Sequence, residues 1–292
     1  MMLEPIPFLD EVLKEFLRED IGGGDLTTLA VFSESERKSI VKAGLHAEKE
    51  GILCGTPFAE RLLRILDPSS GAKWNYGEGE AYHEGETIGI LESRLSDLLA
   101  AERLILNLVK HLSGIASLTR AYVDCVNACR PSGMRPLRIT ETRKTLPGLR
   151  SFQKYAVRVG GGHNHRYDLH SGILIKDNHL AVSRSVRETL ETVRRNAPHL
   201  LRIEIEADTR EQAMDACKFG ADVILLDNMP FPVLEELVEH LRSKRGDILL
   251  EVSGGITLER LPQLATLDVD ILSVGALTHS SPDAPIRLDF LD

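Results

Sequence analysis

A few short stretches hold most of the residues able to handle charge. Arg143 and Lys144 close the run Glu141-Thr142-Arg143-Lys144. His165 and Arg166 follow Gly160-Gly161-Gly162 and His163-Asn164. Lys176 opens Lys176-Asp177-Asn178-His179, and Glu206 and Asp227 stand 21 residues apart. Between Arg138 and His179 there are eight Arg and Lys against three acids, a local charge of +5 in a chain whose net charge is −9. A cationic cluster in an acidic protein points to a small anionic ligand. Arginine suits carboxylates and phosphates because its planar fork donates two parallel hydrogen bonds. Glu206 and Asp227 offer the opposite chemistry: oxygen ligands for Mg²⁺ or ribose hydroxyls, or stabilisers of developing positive charge. Salt bridges to Lys144 and Lys176 are their plainer role, compatible with the first in a different ligation state. Ser253-Gly254-Gly255 and Val274-Gly275-Ala276 present backbone N–H groups that can hold phosphate, or else form ordinary turns. His163 and His165 have no third ligand at a natural spacing, so they do not make a zinc site. GxGxxG spacing after a strand, Walker A, GxSxG and HExxH are absent.

These residues gain meaning from the elements around them. After Pro136 the sequence predicts strands at 137–141, 172–176, 201–206, 222–226, 248–252 and 270–274. Helix-compatible segments near 149–158, 183–196, 209–219, 230–243 and 257–266 separate them. Alternating strand and helix implies a parallel sheet, and near-continuous apolar runs imply strands covered on both faces. Every one of the six strands ends in charged or glycine-rich residues. That edge is where parallel α/β folds bind ligands. Periodicity leaves open whether the sheet closes into a barrel. The region before Pro136 lacks this rhythm and reads as an α+β domain. It has helices at 7–20 and 57–66 and a long helical stretch at 95–130 in which Gly114 is expected to make a break.

Composition narrows the function classes. The chain has 292 residues, 42% hydrophobic and 27% charged, enough apolar mass for a sizeable core. Its acidity argues against non-specific nucleic-acid binding, and its apolar runs are strand-sized, which argues against a membrane span. Met1–Pro5 has no secretory pattern. Cys54, Cys125, Cys129 and Cys217 are too sparse for a disulfide scaffold. The expected location is the cytoplasm.

Taken in order, the motifs resemble the quinolinate phosphoribosyltransferase family. The resemblance is carried by Thr142-Arg143-Lys144-Thr145-Leu146-Pro147-Gly148-Leu149-Arg150, Gly160-Gly161-Gly162 with Asn164-His165-Arg166, and Leu174-Ile175-Lys176-Asp177-Asn178-His179. Gly24-Asp25-Leu26-Thr27-Thr28, Ala101-Glu102-Arg103, Leu226-Asp227-Asn228, Glu251-Val252-Ser253-Gly254-Gly255 and Ser273-Val274-Gly275-Ala276 extend it over nearly the whole chain. It implies an N-terminal α/β sandwich at 1–113, rejoined by 278–292, and an incomplete parallel α/β barrel at 114–277. It implies transfer of a phosphoribosyl group from phosphoribosyl pyrophosphate to quinolinate with loss of CO₂, on the route to NAD. Mg²⁺ and a homodimer or higher homo-oligomer with shared active sites are implied too. By the same resemblance Arg143, His165, Arg166 and Lys176 bind quinolinate, with Arg103 lent by another subunit. Lys144, Glu206 and Asp227 then act on the phosphoribosyl group, the two acids through the metal. Lys144, Lys176, Ser253, Gly254 and Gly275 hold the phosphates. The alternatives are a paralogue of this fold with another acceptor, and a non-catalytic phosphosugar binder.

Overall fold

The computed structural model describes residues 6–183 and 185–291, so the reading of Met1–Pro5 concerns residues outside those described. In chain order the strands are β1 (Ile40–Ala47), β2 (Gly51–Ile52), β3 (Gly71–Trp74), β4 (Ala81–Tyr82), β5 (Thr87–Arg94), β6 (Arg138–Thr140), β7 (Ile173–Ile175), β8 (Ile203–Ala207), β9 (Val223–Asp227), β10 (Leu249–Ser253), β11 (Ile271–Ser273) and β12 (Ile286–Leu291). The chain divides into two compact units. One holds the residues up to Arg120, Pro147–Gly161 and those from Ser280 onward; the other holds Ala121–Leu146 and Gly162–His279.

The first unit is built on an antiparallel sheet of order β12-β1-β5-β3, with β2 and β4 paired separately. The helix Thr56–Leu66 buries Phe58, Leu62 and Leu63, as its apolar spacing demands. Its N-cap is Gly55, which has no side chain to accept the first N–H groups. Glu78 accepts them instead, from Gly55 N (2.8 Å) and Thr56 N (2.7 Å), and its other oxygen accepts from the Tyr155 hydroxyl (2.9 Å). The helix Arg150–Val159 packs in this unit, with the Phe152 ring 4.9 Å from Phe58 and 5.8 Å from Phe16 between centroids. Its position in sequence, between β6 and β7, is that of a crossover helix of the parallel sheet.

Gly114 makes no break. The helix runs unbroken from Leu95 to Cys129. The glycine is there because the Pro282 backbone passes so close that a Cβ would collide with its carbonyl. Gly160 is similar: a Cβ there would strike the Ala116 carbonyl and Thr119. The close approach it allows is to a helix rather than to a ligand.

The second unit is a six-stranded parallel sheet of order β6-β11-β10-β9-β8-β7. The first strand in sequence pairs with the last, so the order is that of a barrel lacking one pairing, between β6 and β7. This is the incomplete barrel that the motifs implied. Ile203, Ile205 and Ala207 alternate with Glu204 and Glu206 along β8, and all three apolar residues are buried. The helix after β8, Arg210–Lys218, begins with a Thr209–Gln212 capping box. Among the described residues, no helix is long and apolar enough to cross a membrane.

Alanine normally improves a helix interior by about 1 kcal/mol over glycine. At Gly114 the clash with Pro282 outweighs that gain, and overpacking of this kind costs about 1–3 kcal/mol. Gly114→Ala is therefore expected to lower stability in urea denaturation. An unchanged or raised midpoint would show that the 282 segment yields freely.

Candidate active site

Parallel pairing puts registered residues on one face of a sheet. Glu206, Leu225 and Glu251 are neighbours across β8, β9 and β10, and Asp227, Ser253, Ser273 and Thr140 continue the pattern across β9, β10, β11 and β6. Most of these residues line a cavity of about 330 Å³, together with Leu174 of β7. The loop after β6 adds Thr142, Arg143 and Lys144. The segment before β7 adds His165 and Arg166, and Lys176 follows β7. Eight residues singled out from sequence thus meet in one place: Arg143, Lys144, His165, Arg166, Lys176, Glu206, Asp227 and Ser253.

The cations are positioned by short local bonds. The Lys144 carbonyl accepts from Thr278 Oγ1 (2.8 Å), and its N–H donates to Thr142 Oγ1 (3.1 Å). Arg166 donates to the Gly172 carbonyl (2.9 Å). Burial, and then the nearby Arg143, make the Arg166 guanidinium less basic than usual. Nε of each of these arginines is buried without a hydrogen-bond partner among the described residues. Two crowded guanidiniums with unused donors form a receptor for an anion.

His165 faces the strands. Its Nε2 lies 3.4 Å from Glu251 and 3.6 Å from Glu204, and its peptide N–H donates to Glu141 Oε1 (3.1 Å). Burial alone would lower its basicity, but the two carboxylates outweigh burial and push it up to about 10. The Arg166 N–H also approaches Nδ1 (2.7 Å), a contact that suits the neutral ring. Glu204 rises to about 7 through burial and then the charge of Glu251, with His165 opposing. Glu251 also accepts from Ser273 Oγ (2.5 Å), which is bonded to Thr140 Oγ1 (2.7 Å).

The third group is acidic. Carboxylate oxygens of Glu206, Asp208 and Asp227 lie within 4.8 Å of one another. Burial raises Glu206, Lys176 at 3.5 Å opposes this, and Asp227 and Asp177 add to it. Burial, Asp227 and Asp177 raise Asp208 as well. Three crowded carboxylates suit a hard divalent cation such as Mg²⁺, which takes oxygen ligands.

Gly254 and Gly275 do not line the cavity but flank residues that do. Gly254 follows Ser253 with φ +93°, and Gly275 packs against the Lys144 side chain. Arg103 is exposed on the helix Leu95–Cys129 and does not line the cavity. Sequence reasoning omitted Leu174, Leu225, Glu251 and Ser273 from the site. Each stands two residues before one it had singled out: Lys176, Asp227, Ser253 and Gly275. Strand period alone could have found them.

Known proteins resemble this chain over nearly its whole length. The model of the quinolinate phosphoribosyl transferase N-terminal domain matches residues 25–113, and that of the C-terminal domain matches residues 115–289. The chain belongs to the quinolinate phosphoribosyl transferase family. It is 40% identical over 282 residues to a Bacillus subtilis protein described as a probable nicotinate-nucleotide pyrophosphorylase (carboxylating), covering 96% of this chain and 93% of that one. It is 39% identical over 285 residues to the Mycobacterium leprae nicotinate-nucleotide pyrophosphorylase (carboxylating), covering 96% of each. The crystal structure of NadC from Streptococcus pyogenes superposes with a TM-score of 0.89 at 34% identity, covering all of both chains.

The raised basicity of His165 makes a stability prediction. An imidazole whose folded value lies above its unfolded one stabilises fully below about pH 6.5, and that contribution is lost as pH rises through about 10. The gap in urea midpoint between wild type and His165→Gln should be widest near about pH 6 and shrink toward about pH 10.5. A gap that widens with pH would mean that the ring is held neutral.

Proposed function

We propose that the cavity binds quinolinate and phosphoribosyl pyrophosphate side by side and joins them. The chain transfers the phosphoribosyl group to the quinolinate nitrogen with loss of CO₂, giving nicotinate mononucleotide and pyrophosphate for NAD biosynthesis. The observation that carries this reading is the meeting of Arg143, His165, Arg166 and Lys176 with Glu206 and Asp227 in one cavity.

Quinolinate has two carboxylates, which accounts for four cations in one pocket. Arg143 and Arg166 offer fixed forks, and His165 and Lys176 add charge. Together they turn the ring nitrogen toward the ribose C1, and such positioning contributes on the order of 7–11 kcal/mol. Lys144 neutralises charge on the departing pyrophosphate, while backbone at Ser253, Gly254 and Gly275 holds phosphate oxygens. As the C1–O bond breaks, Glu206 and Asp227 face the positive charge growing on the ribose. The new C–N bond leaves the pyridine nitrogen positive. The bond to the adjacent carboxylate then breaks, CO₂ departs, and the ring carbon keeps the electron pair and takes a proton from water. Glu206, Asp227 and Asp208 are the residues that would hold Mg²⁺, which when bound neutralises pyrophosphate. The working form is a homodimer or larger homo-oligomer in the cytoplasm, each site completed by the partner subunit's Arg103.

The decisive experiment supplies purified protein with both substrates and Mg²⁺ and measures nicotinate mononucleotide and CO₂ together. Equal yields of the two are expected, and turnover of another acceptor alone would overturn the reading. Arg143→Ala is expected to cost at least about 2 kcal/mol in kcat/KM, about 30-fold. Wild-type kinetics would remove Arg143 from the acceptor site. Lys176 is engaged with Glu206. Glu206→Gln should free the ammonium and tighten quinolinate binding by up to about fivefold, the scale of a partly exposed ion pair, even as turnover falls. Weaker quinolinate binding in calorimetry would refute that competition.

A further inference from the structure

Asp227 ends β9, and the residue after it has an unusual backbone. Asn228 has φ +53°, a left-handed conformation shared among non-glycine described residues only with Phe8. Glycine would adopt it without strain. Asparagine tolerates it better than most side chains, and the structure gives this one three engagements.

Its amide nitrogen Nδ2 donates to Asp227 Oδ2 at 2.6 Å. Its peptide N–H donates to the Ser253 carbonyl at 3.1 Å. Its amide oxygen and backbone nitrogen occupy the place that a Cβ on Gly254 would need, and Gly254 itself has φ +93°. The orientation of the amide is set by charge, since its oxygen could not face the Asp227 carboxylate. One residue therefore ties the end of β9 to the end of β10. It also commits one oxygen of Asp227, whose carboxylate lies in the group of acids with Glu206 and Asp208.

We propose that Asn228 is a positioning residue for the donor end of the site: it aims the Asp227 carboxylate and locks Ser253-Gly254 in the shape that receives phosphate. It touches no reacting atom and acts through Asp227 and the β10 turn. This inference rests on the reading above only where that places the phosphoribosyl donor at Asp227 and Ser253.

The test uses the full chain and two titrations followed by calorimetry, one with phosphoribosyl pyrophosphate in Mg²⁺ and one with quinolinate. Asn228→Gly permits the left-handed backbone and removes the amide. It should keep or raise the melting temperature, leave quinolinate binding unchanged and weaken donor binding about tenfold, the scale of one hydrogen bond to an ionised group. Asn228→Asp keeps the shape but sets a like charge against Asp227, and should weaken donor binding further. Wild-type donor affinity in Asn228→Gly would overturn the proposal. So would a lowered melting temperature with equal loss of both ligands, which marks a purely structural residue. A wild-type protein that binds the donor but not quinolinate would sink the acceptor assignment instead, with the donor titration still deciding the role of Asn228.

Discussion

The inner face of the parallel sheet carries more acid than a sheet interior tolerates unaided. Glu204, Glu206, Asp227 and Glu251 come from three adjacent strands, and register sets them side by side. An isolated buried carboxylate either takes up a proton or destabilises the fold. Glu204 goes part of the way toward the first outcome, rising to about 7. The rest is offset by loop residues: His165 lies between Glu204 and Glu251, and Lys176 lies against Glu206. The acids thus dictate where the loops must deliver cations, and those loops carry the arginines too.

The compensation is incomplete on the cationic side. Arg166 is made less basic by burial and by Arg143, and each has an Nε without a partner among the described residues. Two guanidiniums held in mutual repulsion raise the energy of the site. A dianion relieves that repulsion on arrival, so part of the binding free energy is stored in the fold beforehand. Such preorganisation is the usual route by which a polar site exceeds what water offers its ligand, and it comes at the expense of stability.

Much of this was legible in the sequence because strand ends are local signals. The six strand segments after Pro136 appear where apolar runs predicted them, and the charged residues at their ends face one cavity. What escaped depends on relations between distant segments. Gly114 looks like a helix breaker until Pro282 is seen against it. The helix Arg150–Val159 has the pattern of a crossover helix, yet Phe152 finds its partners in Phe16 and Phe58. Asn228 stands in a family motif, but nothing in one dimension assigns it a task. Its left-handed backbone matters only because Ser253 and Gly254 lie beside it. Arg103 is the opposite case: a family motif marks it, and within one chain it is simply an exposed arginine.

The missing β6–β7 pairing explains why the cations gather as they do. In a fully closed barrel these two strands would bond to each other, leaving no place between them for a loop. Here the segment after Gly161 runs beside β6 instead: His163 donates to the Ile139 carbonyl (2.8 Å) and forms an isolated parallel bridge with Thr140. Two residues on, His165 meets Glu204 and Glu251, and Arg166 follows it. Arg143 and Lys144 leave the same strand β6, and Lys176 leaves β7. Every cation lining the cavity therefore comes from the two strands at the open seam or from the loop between them, while its lining acids, Glu206, Asp227 and Glu251, come from strands with partners on both sides. Rigid, fully paired strands suit groups that must face a developing charge at a fixed distance. The seam suits groups that must surround a ligand, because a loop can close around an anion where a paired strand cannot.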